Sequence, residues 1–204
     1  MTRRIILASN SPRRQELFRL MGYPFEIHVS PYDEESSSRS GLSAARLVKR
    51  HAHGKAVHVL IENPGAIVIG ADTVVVSPDG RIFGKPADAF DAERMLRDLA
   101  GRWHTVHTGI CVAGYTIKAN EPAASPILRF RDSLVSTQVH FGPMTKAEIK
   151  RYVASGEPMD KAGAYAIQGG AAPFVQEIQG DFFNVVGLPL FTVKKMIEGA
   201  MRWR

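Results

Sequence analysis

Cysteine is nearly absent: the 204-residue chain carries one, Cys111. A single cysteine is expected to exclude an internal disulfide and a Cys-based zinc site. Set in the apolar run Gly109-Ile110-Cys111-Val112-Ala113, it reads as a buried structural thiol rather than a nucleophile. No apolar run approaches the ~18 residues that a membrane span needs. The run behind Arg3 and Arg4 is too short for a signal peptide, so a cytoplasmic protein is expected. G-x-x-x-x-G-K-[ST] and G-x-G-x-x-G are missing, which argues against P-loop and Rossmann sites. There is no internal repeat and no low-complexity tract, and no stretch is expected to interleave basic residues with exposed aromatics.

What the chain does hold is the composition of an ordinary globular protein, 45% hydrophobic and 23% charged. Its length suits one domain of two lobes or two small domains. The formal charge of +6 points to anionic partners. Basic residues are scattered among acidic ones, so a phosphate-bearing small molecule is favoured over nucleic acid, and no membrane partner is expected.

Ile5-Ile6-Leu7-Ala8 reads as a buried strand that runs through Ser9-Asn10 into a helix from residue 12 to about 21. Ser11 suits the N-cap and Pro12 the first helical position, where a missing N–H is no loss. Backbone N–H groups and the positive end of the helix dipole then face one spot beside Arg13 and Arg14. That is a place for a phosphate, although many strand–turn–helix units begin in the same way. Leu17, Leu20 and Met21 are expected on the inner face, with Gly22 as the stop. Residues 23–29 read as a strand, the acidic Asp33-Glu34-Glu35 and the serines 36–38 as loop, and residues 42–60 as a second helix. His51, His53 and His58 tempt a metal reading, but positions two apart point to different faces of that helix and no third ligand is at hand, so solvated histidines are expected.

Residues 66–76 are the most informative strand. Continuous apolar character indicates burial on both faces, as in a sheet covered by helices. An aspartate there, Asp72, is costly unless paired, protonated or bound to a metal. It would be bland as a strand-end cap, but the apolar run resumes at once, which makes Asp72 a candidate for chemistry. Asp79-Gly80 signals a hairpin leading back to Gly84-Lys85-Pro86, where Lys85 alone says little. Asp88 suits the cap of a helix carrying Met95, Leu96 and Leu99, stopped by Gly101.

Long strands are expected over residues 103–115 and 133–141. Residues 118–132, with two prolines and mixed charge, read as an exposed loop insertion. Thr145 and Glu148 form a capping box for a helix with Ile149, Tyr152 and Val153 inward. Residues 155–170 gather glycines, two carboxylates, a lysine and an amide in one loop, where sites are usually built. A closing helix then carries Val193, Met196, Ile197 and Ala200 as its apolar stripe, with Lys194 and Lys195 solvated. Helix–strand alternation followed by long strands indicates α/β with a mixed sheet.

Five segments, taken together in order, resemble the Maf (septum-formation) family. They are Ala8-Ser9-Asn10-Ser11-Pro12-Arg13-Arg14-Gln15-Glu16-Leu17, Gly70-Ala71-Asp72-Thr73-Val74-Val75, Gly84-Lys85-Pro86, the run from Gly156 to Tyr165, and Asn184-Val185-Val186-Gly187-Leu188-Pro189. The resemblance spans nearly the whole chain and sets aside residues 118–132. It implies one domain over residues 1–204, an elongated two-lobed α/β fold with a central mixed sheet flanked by helices, similar to inosine triphosphatases, with a substrate cleft between the lobes. It also implies a nucleoside triphosphate pyrophosphatase that needs a divalent cation, Mg²⁺ or Mn²⁺, and it leaves room for a homodimer.

Carried over by position, the resemblance implies that Asp72 is the catalytic proton acceptor and that Glu34 and Asp72 lie at the metal. Ser9, Arg13, Arg14, Lys55, Lys85, Asp160 and Lys161 are implied to bind substrate and its phosphates. The dTTP/UTP branch is marked by Arg after Ser-Pro, Thr after the catalytic Asp, and Gln in Ala-Ile-Gln-Gly. Arg13, Thr73 and Gln168 meet all three, which makes them the expected specificity residues. A 7-methyl-GTP-type pyrophosphatase looks different at these positions. A nucleotide-binding regulator of cell division without turnover remains the competing class. The chemistry is intelligible on general grounds: cations offset triphosphate charge, a carboxylate accepts a proton from water, and an amide matches a base edge.

Overall fold

Three buried residues form strand β1 (Ile5–Leu7). It pairs in parallel with the short, exposed strand β2 (Glu26–Ile27) on one side and with β3 (Ile67–Val76) on the other, in the register Ile5↔Ile67, Ile6↔Val68, Leu7↔Ile69. The computed structural model describes residues 3–34, 41–116 and 126–203. The serines 36–38 and residues 118–125, all expected as loop, lie outside the described residues. Strand β3 turns through Asp79-Gly80 into β4 (Ile82–Phe83), the hairpin closed by Ser77 N–H on the Arg81 carbonyl at 2.9 Å. The turn needs Gly80, whose φ is +79°. Long strands β5 (Trp103–Thr116) and β6 (Ile127–Phe141) follow, then β7 (Val175–Gln179). The mixed seven-stranded sheet has the order β2-β1-β3-β5-β6-β7, with β4 paired to β3.

Helix starts follow their local signals. Helix α1 (Pro12–Arg19) begins with Ser11 accepting from Arg14 N–H, α3 (Ala89–Leu99) with Asp88 accepting from Asp91 N–H, and α4 (Lys146–Ala154) with the full Thr145/Glu148 capping box. Helix α2 (Ala44–Glu62) is the longest. Short α5 (Phe182–Val186) precedes α6 (Leu190–Ala200), which buries Val193, Met196, Ile197 and Ala200 as its spacing predicts. No helix among the described residues is long and apolar enough to cross a membrane.

The chain divides into two compact units, Met1–Asp72, Gly109–Leu134 and Gly187–Arg204 in the first, Thr73–Thr108 and Val135–Val186 in the second. In the first, Ala52, Ala56, Val59 and Leu60 of α2 pack with Ile6, Val68, Cys111 and Ala113. Two glycines allow the closeness: a Cβ on Gly70 would lie 2.2 Å from the Ala52 carbonyl oxygen, and one on Gly109 would lie 2.4 Å from that of Val48. The second unit centres on His104, Phe141 and Tyr165, whose rings meet edge to face, with His104 Nε2 2.9 Å from the Tyr165 hydroxyl.

Three expectations are corrected. Residues 127–132, read as part of an inserted loop, are the exposed first half of β6; Leu128, Arg129, Phe130 and Arg131 alternate as a strand does, and their charge hid it. Helix α1 stops at Arg19, so Leu20 falls in the closing turn and is 70% exposed, while Phe18 takes the buried place beside Leu17. Residues 23–29 contribute only the two-residue β2, since Phe25 instead packs its ring on Phe18 at 4.7 Å.

Candidate active site

In the first unit, α2 carries His51 and Lys55 one turn apart, so both side chains leave the same face. Lys55 Nζ donates to Asp72 Oδ1 at 2.8 Å and stands 2.9 Å from Glu34 Oε1. His51 Nδ1 lies 2.9 Å from Asp72 Oδ2 and 3.9 Å from Glu34 Oε2. Asp72 is 7% exposed, His51 4%, and Lys55 9%. Arg14 is close enough for its charge to act on both carboxylates, and its Nε donates to the Gly187 carbonyl at 2.9 Å. Ser9 ends β1 nearby in sequence, its hydroxyl accepting from Ser11 N–H at 3.2 Å.

Burial is the largest influence on Asp72 and pushes its carboxyl upward. The His51 hydrogen bond, then the charges of Lys55 and Arg14, outweigh it, and Asp72 is held below the usual carboxylate range. It is therefore ionised and accepts only, so the proton between it and His51 sits on Nδ1. His51 Nε2 is buried and has no hydrogen-bond partner among the described residues. Arg14 shows the converse balance: burial lowers its guanidinium from its ordinary value, and Asp72 and Glu34 oppose the shift.

Glu34, His51 and Asp72 present two carboxylate oxygens and an imidazole nitrogen within 4.8 Å of one another. The two carboxylates suit a hard divalent cation such as Mg²⁺ or Mn²⁺, whereas His51 Nδ1, while it donates to Asp72, is not a ligand. The expected metal residues Glu34 and Asp72 thus fit the group. His51, expected to be solvated, is instead buried against Asp72, a contact that the sequence alone does not show. The His51-x-x-x-Lys55 spacing was the available signal, once Lys55 was placed at Asp72.

Arg13 follows Pro12 at the start of α1, where its charge acts on Arg14. The remaining candidates belong to the second unit. Thr73 shares a hydrogen bond with Thr108 at 2.9 Å, and Thr108 also lies 3.3 Å from the Asn184 carbonyl. Lys85 is exposed between β4 and α3, and Gln168 is exposed in a turn. Lys161 pairs with Asp160 and donates to the Glu157 carbonyl at 2.9 Å. His58 Nδ1 contacts the Gly54 carbonyl at 2.8 Å. Cys111 is buried, as its apolar run predicts; burial, reinforced by the Asp132 carboxylate, pushes its thiol up and away from nucleophilic thiolate.

The chain is similar to known proteins over nearly its whole length. The dTTP/UTP pyrophosphatase of Symbiobacterium thermophilum is 47% identical over 196 residues, covering 95% of this chain and 92% of that protein. The proteins of the same name from Dictyoglomus thermophilum and Bacillus velezensis are 44% and 45% identical over 198 residues, each covering 97% of this chain and 96% and 97% of theirs. Among solved structures, that of a HAM1 protein from Coxiella burnetii aligns at 15% identity and a TM-score of 0.41, over 96% of this chain and 98% of that one, too loosely to add to the assignment. The model of the Maf-like protein family matches residues 4–200, from β1 to the end of α6, and the chain belongs to that family.

Proposed function

We propose that this protein is a cytoplasmic nucleoside triphosphate pyrophosphatase acting on dTTP, UTP or modified pyrimidine relatives. Its reaction yields the nucleoside monophosphate and pyrophosphate. The observation that carries the reading is Asp72, a buried carboxylate kept ionised by His51, Lys55 and Arg14. A binder without turnover gains nothing from such a group among its cations, and the names of the relatives favour an enzyme.

Asp72 accepts a proton from water as the water oxygen attacks the α-phosphorus. The bond to the bridging oxygen breaks, and pyrophosphate leaves with the electron pair. Such general-base assistance contributes about 10²–10⁴-fold. Lys55 and Arg14 offset phosphate charge, Lys55 as a point charge and Arg14 as a planar fork. When bound by Glu34 and Asp72, with His51 adjacent, Mg²⁺ or Mn²⁺ supplies further neutralisation of the triphosphate. Ser9 and the first turn of α1, with Arg13, provide hydrogen-bond donors for phosphate oxygens.

By motif position, Lys85, Asp160 and Lys161 are substrate ligands, and Arg13, Thr73 and Gln168 set base choice. Incubation with a panel of normal and modified nucleotides and Mg²⁺, following pyrophosphate, tests the proposal. Preferential release from dTTP and UTP or their modified forms supports it. Tight nucleotide or nucleic-acid binding without pyrophosphate overturns it.

A further inference from the structure

The first unit holds a second cluster that the proposed reaction does not use: His53 on α2, Cys111 in β5 and Asp132 in β6. Their donor atoms lie within 4.8 Å of one another. Both Asp132 carboxylate oxygens are 3.3 Å from His53 Nδ1, and Cys111 Sγ is 3.8 Å from the same nitrogen. A nucleophile–base relay uses the two imidazole nitrogens separately, one towards the thiol and one towards the carboxylate. Here sulfur and carboxylate face one nitrogen, so three donors of different chemistry surround a single point.

That is the arrangement of a metal site. With metal–N and metal–O bonds near 2.0–2.2 Å and metal–S near 2.3 Å, neighbouring ligand atoms of a tetrahedron stand about 3.3–3.6 Å apart. The His53–Asp132 spacing falls in that range, and Cys111 Sγ stands 3.8 Å from His53 Nδ1, slightly beyond it. Cys111 forms a buried floor, while the His53 and Asp132 side chains are 33% and 30% exposed. The cluster is thus buried on the sulfur side and partly exposed at His53 and Asp132. Phe130 stands edge-on to His53 with centroids 4.6 Å apart and restrains the ring.

We propose that His53, Cys111 and Asp132 bind one divalent cation of the zinc class. Sulfur and imidazole favour Zn²⁺ or Co²⁺ over Mg²⁺. This mixed set, with one thiolate, departs from the expectation that a single cysteine excludes a Cys-based zinc site. As the metal–sulfur bond forms, the thiol releases its proton to solvent, and His53 keeps its hydrogen on Nε2.

Because Cys111 is the chain's one cysteine, a thiolate-to-cobalt charge-transfer band can arise only there. Chelator-stripped full-length protein is titrated with Co²⁺, then with Zn²⁺ in competition. The expected result is a near-ultraviolet band saturating at one equivalent and lost on adding Zn²⁺. In His53→Ala and Asp132→Asn, binding should weaken on the order of 10- to 100-fold or more. Absence of the band in folded wild-type protein overturns the proposal, as does a band of unchanged affinity in both variants. Cobalt bound without the band belongs to the oxygen donors around Asp72 and counts against this site.

Discussion

His51 Nδ1 meets Asp72 Oδ2 at 2.9 Å, joining α2 to β3 through residues 21 apart in the chain. Lys55 holds the other oxygen, so each carboxylate oxygen accepts one hydrogen bond before any substrate arrives and keeps a further lone pair.

Asp72→Asn keeps the shape of the side chain and removes the proton acceptor. Pyrophosphate release should fall by about 10²–10⁴-fold, with a native circular dichroism spectrum, since Lys55 retains Glu34. Near-normal turnover with UTP and Mg²⁺ would show that another group accepts the proton.

His51→Leu removes one of the groups that hold the Asp72 carboxyl below its ordinary range. The acid limb of kcat/KM should therefore move to higher pH, because Asp72 then protonates more readily. A structural role alone would lower kcat/KM at every pH and leave the limb in place.

Substitutions at Arg13, Thr73 or Gln168 should change the ranking among dTTP, UTP and purine nucleotides more than they change melting temperature. Steady-state kinetics on the nucleotide panel tests this. Equal losses on every nucleotide would assign these residues to scaffolding, which for Thr73 would mean its bond to Thr108.

His104 gives the second unit a pH-dependent stability. Burial lowers its imidazole from 6.5 to about 4. The unfolded chain thus binds more protons between those values, and stability is full above pH 6.5 and declines as pH falls towards 4. The loss should reach about 3 kcal/mol. Urea unfolding of wild type and His104→Gln across this window should show the steeper decline in wild type; parallel curves would remove His104 as the cause.

Gly70→Ala forces a Cβ against the backbone of α2. A cost of about 1–3 kcal/mol or more is expected, together with reduced turnover, because the same helix carries Lys55 and His51. Stability measured by denaturant midpoint and activity measured on UTP should fall together.

Much of this was legible locally. Ser11, Asp88 and Thr145 cap helices because their side chains reach an N–H three residues away. Asp72 stood out because a carboxylate inside a continuous apolar run must have partners. The identity of those partners was less accessible, since His51 becomes buried only when α2 lies against β3. Residues 127–132 hid for a related reason: an exposed strand can carry Arg129 and Arg131 without losing its sheet partners.

The seat of α2 on Gly70 and Gly109 has a wider consequence. The spacing between helix and sheet is fixed there by main chain against main chain rather than by interchangeable side-chain methyl groups. Compensating core substitutions, which ordinarily let a sequence drift while keeping its volume, have nothing to trade at these two points. Substitutions on the outer face of α2 can therefore accumulate while the reach of Lys55 and His51 to Asp72 stays the same.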